Sequence, residues 1–326
     1  MPGKKGRWKS KSCNRDGSEN LCKPKAMEQE IINLIKTNGP LSGSEIKGFI
    51  PGDNLLLWQT CKTSSNLRVK SVGGRFLRLD RRVNGFARSS PSILREFLTY
   101  SVVGLTGQPQ LIDKRAQEIH SRIVQVSRSK LELAQSFVDE VKAQIGDAWP
   151  KEQACFILAG DIVYDMAHDV PRPERSTGRL VRGSDIDLVV IVNDRVSDDM
   201  IQRLDTTIYQ KKYRALISPA VNEEIDYVVK KMERVREQVR FDTFKNMVAC
   251  KILQEGMLIG GSEGFYREVI QLLPDNGVLE KLDRLQEVAI AFRKQQEDFL
   301  VQRDADKITP EDLYFFYPAE ESEEFE

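Results

Sequence analysis

The stretch Arg182-Gly183-Ser184-Asp185-Ile186-Asp187-Leu188-Val189-Val190-Ile191-Val192 decides how the rest of the chain reads. Two carboxylates stand two residues apart at the mouth of an apolar run. The run is rich in Val and Ile, which favours a buried strand over a helix. On a strand, residues i and i+2 share a face, so Asp185 and Asp187 project side by side while Ile186 turns into the core. Neighbouring carboxylates repel each other, and near a core each loses hydration. A divalent cation with oxygen ligands relieves both, and Mg2+ held by one or two carboxylates plus substrate phosphates is the usual outcome. A solvated acidic strand end is the plain alternative. The Gly-Ser before the pair and the apolar run after it favour a site.

Upstream, residues 154–159 read as a buried strand ending at Gly160-Asp161. A loop with Pro171, Arg172, Pro173, Glu174, Arg175, Ser176, Thr177 and Gly178 then leads to the acidic pair. Downstream, 198–216 reads as a helix. Residues 223–230 read as a strand with Ile225, Tyr227 and Val229 on one face and Glu224 and Asp226 on the other. From 235 to 303 the pattern is helical, interrupted near Ile259-Gly260-Gly261 and Pro274-Asp275-Asn276-Gly277. Ahead of the first strand, 110–145 carries long helical spacing, and 93–103 reads as a shorter helix. His120 falls within the long helix as a surface or packing residue.

Residues 26–82 read as three short helices followed by strand, Gly73-Gly74 turn and strand over 67–79. That order resembles a winged helix-turn-helix. Its wing would carry Arg68, Lys70, Arg75 and Arg78, followed by Arg81 and Arg82, bases suited to phosphate contact. Residues 84–92 read as a Gly/Ser/Pro-bearing linker.

The 326 residues suggest two or three domains. Formal net charge is zero, so no whole-chain field draws in nucleic acid. Charge is nevertheless segregated: residues 1–25 read as a disordered basic arm and 305–326 as an acidic, aromatic tail. The five cysteines are scattered without a Cys-x-x-Cys pair, which speaks against zinc and against a disulfide framework. No stretch approaches a membrane span, and the basic start lacks the apolar core of a signal peptide. The expected setting is reduced and cytoplasmic.

Strand, Gly, loop, Gly-Ser-Asp-x-Asp opening a strand, helix, then a strand with a further Asp: in this order, roughly residues 110–270 resemble the DNA polymerase beta-like nucleotidyltransferase superfamily. The resemblance implies an α+β fold with a mixed sheet and helices. The core covers 93–234 with its leading long helix, between a winged helix-turn-helix-like domain over 26–90 and a helical domain over 235–304. It implies Asp185 and Asp187 as ligands of Mg2+ (or Mn2+) that also hold the triphosphate. Asp226 would complete the site that activates the attacking hydroxyl, with Glu224 on the same face as an alternative. Attack of a hydroxyl on the α-phosphate of a nucleoside or deoxynucleoside triphosphate builds charge on the attacking and leaving oxygens, which two metals about 3.5–4 Å apart stabilise. Gly160, Ser184 and Lys251 are the further nucleotide-binding candidates, and Arg175, Arg179 and Arg182 are candidate triphosphate contacts. Metal-dependent glycosyltransferases also use Asp-x-Asp, but their pair typically follows its apolar strand, whereas here the run follows the pair.

One departure stands out. Asp161 occupies the place where the superfamily has Ser or Gly facing the triphosphate. Either Ser184, Ser176 and Thr177 take over phosphate binding, or Asp161 is an extra metal ligand. The motif leaves the acceptor open. Leu313-Tyr314-Phe315-Phe316-Tyr317-Pro318 offers two hydroxyls on the tail, Tyr314 and Tyr317, as self-modification or priming sites; docking of these aromatics is the alternative. By architecture alone the chain resembles the nucleotidyltransferases of two-component antiviral defence systems such as Hailong. That implies template-independent oligonucleotide synthesis and an effector protein as partner, with nucleic acid reached through the winged unit and a homo-oligomer as a further possibility. A protein-nucleotidylating enzyme of toxin–antitoxin type and a DNA-binding, nucleotide-sensing regulator are the competing readings.

Overall fold

Three helices lead the chain, α1 (Glu19–Asn38), α2 (Gly43–Phe49) and α3 (Asn54–Thr63), in a computed structural model that describes residues 19–174 and 177–318. Helix α1 begins inside the stretch expected to be a disordered arm; residues 1–18 of that arm lie outside the described residues. Ser42 starts α2 through a capping box: its hydroxyl accepts from the Glu45 amide at 3.2 Å, and the Glu45 carboxylate accepts from the Ser42 amide at 2.7 Å. Asp53 caps α3 in the same sense.

The expected wing does not form. Strands β1 (Leu67–Ser71) and β2 (Phe76–Leu79) belong to different two-stranded sheets. β2 pairs with β3 (Ala87–Ser90), which falls in the expected linker. Beyond α4 (Ile93–Thr99), β1 pairs with β4 (Ser101–Leu105). Val102 and Val103 are fully buried, and their branched side chains favour strand. The helix expected over 93–103 therefore stops at Thr99, and β4 takes the edge of β1 that a wing would have used. The bases of the expected wing are dispersed as a result. Lys70 pairs with Asp113 at 2.8 Å, and Arg75 with Glu96 at 2.7 Å and Glu297 at 2.8 Å.

The next elements are α5 (Pro109–Ile145), β5 (Ala154–Ala159), the short pair β6 (Pro171–Pro173) and β7 (Leu180–Arg182), then β8 (Ile186–Val192), α6 (Asp198–Ile217) and β9 (Ile225–Lys231). They are followed by α7 (Met232–Gln238), α8 (Phe244–Glu255), β10 (Met257–Gly261), α9 (Glu263–Asp275) and α10 (Val278–Gln302). The central sheet has the order β10-β5-β8-β9. β10 and β8 run antiparallel to β5, and β9 runs parallel to β8. β10 corrects the all-helical expectation beyond 235: Gly260 and Gly261, read as an interruption, lie in an edge strand.

Both faces of this sheet are covered, which is why β5 and β8 read as continuous apolar runs. Phe156, Leu158, Ile186, Leu188 and Val190 pack against Phe137, Val138 and Val141 of α5 and Leu204 and Ile208 of α6. Cys155, Ile157, Val189 and Ile191 pack against α7 to α10, joined by Leu77 of β2 and Ala87 of β3. A separate cluster unites α1, α3 and α4 with Leu300 of α10 and Phe316 of the tail. The tail is thus docked as far as Pro318, and 319–326 lie outside the described residues. Among the described residues no helix is long and apolar enough to cross a membrane.

Candidate metal centre

Parallel pairing of β8 with β9 sets Asp187 opposite Asp226. Asp185 stands just ahead of β8, two residues from Asp187 and on its face. One carboxylate oxygen from each of Asp185, Asp187 and Asp226 lies within 4.8 Å of the others. Asp226 is therefore the third acid. Glu224, the alternative, lines the same cleft but is outside this group, and its carboxylate pairs with Arg172 Nη1 at 2.7 Å.

Gly160 makes room for this cluster. Its φ is +78°, and a Cβ there would stand 2.5 Å from Oδ2 of Asp187. Gly160→Ala carries both the left-handed strain of about 1–2 kcal/mol and a displaced Asp187. The expected result is Mn2+ affinity reduced about tenfold or more, as that strain implies, read by calorimetric titration. Gly183 answers a second close approach: with φ +59°, a Cβ would lie 1.9 Å from the His168 carbonyl oxygen.

Burial, reinforced by the charge of Asp185, pushes the Asp187 carboxyl well above the usual carboxylate range, against the pull of Arg78. Burial likewise raises Asp161, with Arg78 opposing. Three oxygen donors this close, one of them resisting ionisation, fit a hard divalent cation such as Mg2+ or Mn2+. A bound cation would remove the repulsion that now favours a proton. Lys212 Nζ holds Oδ1 of Asp226 at 2.7 Å from the outer side.

Asp185 and Asp226 line a cleft of about 240 Å3. Its lining includes Arg172 and Asp161 from the core, and Phe76, Arg78, Arg88, Pro91, Arg95 and Tyr100 from the N-terminal unit. Arg172 donates from Nε to the Gly183 carbonyl at 2.7 Å and lies 3.6 Å from Asp185. His168 is buried against Arg95, whose Nη1 is 2.6 Å from Nε2. Burial and the neighbouring cations hold the imidazole well below its ordinary value. A guanidinium can only donate, so Nε2 is the acceptor.

Several expected residues sit elsewhere. Arg182 lines a different cavity of about 490 Å3, beside Arg122 and Lys130, and its backbone carbonyl accepts from Lys130 Nζ at 2.6 Å. Lys251 does not line the cleft: it pairs with Glu255 at 2.5 Å and with the Tyr164 hydroxyl at 2.7 Å. Glu255 in turn accepts from the Gly160 amide at 3.1 Å, so Lys251 supports the loop from behind. Thr177 spends its hydroxyl on Glu174 at 2.6 Å; Arg175 and Ser176 lie outside the described residues. Asp161 lines the cleft but does not join the three-carboxylate group. The Tyr314 hydroxyl donates to Asp80 at 3.1 Å, and Tyr317 packs on Phe316. Among the described tail residues, Pro318 lines the cleft.

Comparison with family models, with curated proteins and with solved structures finds no match. The site rests on its own geometry. Arg78, Arg88, Arg95 and Arg172 are the cleft residues sequence reasoning missed as such. No local motif marks them, since they come from four different elements or loops and meet only on folding.

Proposed function

We propose that this chain is a metal-dependent nucleotidyltransferase, moving a nucleoside or deoxynucleoside monophosphate from its triphosphate to a hydroxyl acceptor. The observation that carries this reading is the convergence of Asp185, Asp187 and Asp226 from neighbouring strands within 4.8 Å. A mixed sheet covered by helices, with the Gly-Ser loop entering at Asp185, supports it.

Asp185, Asp187 and Asp226 would hold Mg2+ or Mn2+. When bound, the metal supplies positive charge to the phosphoryl oxygens and lowers the pKa of a bound hydroxyl. The chain's own contributions are separable. Arg172 fixes the Gly183 turn and offsets the charges of Glu224 and Asp185. Lys212 fixes the rotamer of Asp226. His168 accepts from Arg95 and so helps to position it at the cleft wall.

The test is incubation of the full chain with Mg2+ or Mn2+ and each labelled ribo- and deoxyribonucleoside triphosphate, with Asp185→Ala and Asp187→Ala as controls. Pyrophosphate release and a labelled product are expected from the wild type alone. Nucleotide binding without any release would favour a nucleotide-sensing regulator instead.

A further inference from the structure

We infer that the far end of the β2–β3 hairpin, the α7–α8 loop and the start of α10 together form a docking surface for single-stranded nucleic acid, apart from the metal centre. The chain as a whole carries no net charge, yet this surface collects aromatic rings and cations. Phe86 ends the hairpin loop and is 37% exposed. Its ring lies 5.3 Å from that of Phe244, at the start of α8. Arg81, in the same loop, stands over the Phe244 ring at 5.1 Å, and Lys281 of α10 stands over the Phe241 ring at 5.4 Å. Arg240 and Lys245 adjoin Phe241 and Phe244 in sequence, and both are exposed.

A ring does not neutralise the cation it faces, and none of Arg81, Arg240, Lys245 and Lys281 has a carboxylate partner among the described residues. The acids nearest the rings in sequence are engaged. Asp80 pairs with Arg88 at 3.1 Å and accepts from the Tyr314 hydroxyl at 3.1 Å, and Asp242 accepts from the Asn246 side-chain amide at 2.7 Å. The surface therefore attracts anions. Backbone strain marks two of the rings: φ is +63° at Phe86 and +59° at Phe241. A bulky side chain in the left-handed region is an outlier, and such outliers gather where function requires a side chain. Phe86 is too exposed for burial alone to hold it there. Exposed ring faces interleaved with cations suit single-stranded nucleic acid, whose bases stack on the rings while the cations follow its phosphates. A duplex keeps its base faces covered, and a lipid headgroup offers charge without a base to stack. The hairpin that ends in this loop also lines the cleft through Arg78 and Arg88, so one element serves both surfaces.

The probe is a fluorescein-labelled oligothymidylate of about 15 residues, within the span of one such site. The full chain is titrated into it in EDTA at several salt concentrations and read by anisotropy. Binding is expected, with log affinity falling linearly in log salt. Phe86→Gly relieves the left-handed strain, so it should stay folded by thermal unfolding yet bind about tenfold more weakly, the worth of one stacked base. Phe86→Tyr keeps a ring and should bind like the wild type. Arg81→Gln and Lys281→Gln should each lower the salt slope by about 0.7, the value for one phosphate of a single strand. Wild-type affinity in Phe86→Gly, an unchanged slope in both Gln variants, or a duplex of the same length bound as tightly as the single strand overturns the inference. So does a wild type that leaves the oligonucleotide free, including one that binds phosphatidylserine vesicles instead. Metal is absent throughout, so failure of the nucleotidyltransferase reading would leave this binding unchanged.

Discussion

Asp187→Asn is expected to abolish the proposed nucleotidyl transfer while raising the melting temperature of the metal-free protein at pH 7. The loss follows from the metal site: a bound cation is worth several kcal/mol of transition-state stabilisation, so removal of its central ligand lowers kcat/KM by about 10^3-fold or more. The gain in stability follows from burial. The Asp187 carboxyl is held well above its ordinary value by desolvation and by Asp185. A raised acid binds its proton more tightly folded than unfolded. Its stability contribution is therefore fully present below the unfolded pKa and is lost as pH rises through the folded value. Asn removes that loss, so the advantage of the variant is greatest near neutrality and vanishes as pH approaches about 4. Added Mn2+ should reverse the order, stabilising the wild type by mass action and leaving the variant unmoved. Scanning calorimetry at pH 4 and pH 7, with and without Mn2+, reads all of this. A variant less stable than wild type at pH 7 without metal would show that the carboxylate is a structural partner.

Arg293→Ala is expected to destabilise the fold by about 3–5 kcal/mol, the usual result of removing one partner from a buried ion pair. The Arg293 side chain is 2% exposed. It donates to Glu96 at 2.5 Å, to Glu297 at 2.9 Å and to the Pro91 carbonyl at 2.9 Å. Glu96 also accepts from Arg75 at 2.7 Å and from Ser71 at 2.5 Å. Burial pushes the Glu96 carboxyl up, but Arg75 and Arg293 outweigh it and hold the group below its ordinary value. The network ties α10 to α4 and β1, so it also sets the wall carrying Arg95 and Pro91. Urea unfolding measures the loss, and transfer activity should fall with it even where the variant remains folded. A change below about 1 kcal/mol would mean that Arg75 satisfies Glu96 alone.

The residues at the heart of the site were legible because their signal is short-range. Period-two spacing assigned Asp185 and Asp187 to one face, and separated Asp226 from Ile225 and Tyr227 on the next strand. The apolar runs of 154–159 and 186–192 announced strands buried on both sides. Register was not legible. Asp226 and Glu224 shared a face, and only the parallel ladder with Arg172 beyond it chose between them. Arg182 and Lys251 were plausible by spacing, yet the folded chain places Arg182 at another cavity and pairs Lys251 with Glu255.

The hairpin misreading has the same origin. Gly73-Gly74 permits a tight turn, but a turn does not decide which strand its neighbour pairs with. Val102 and Val103, thirty residues on, pair with β1 and are driven fully out of water there, while Leu77 of β2 is buried beside β3 instead. Backbone preference and side-chain alternation are properties of a few consecutive residues, so the chain wrote down its strands and its acidic pair openly. Which strands meet, and which arginines gather over the acids, depends on burial summed across distant segments, and that exists only once the chain has closed.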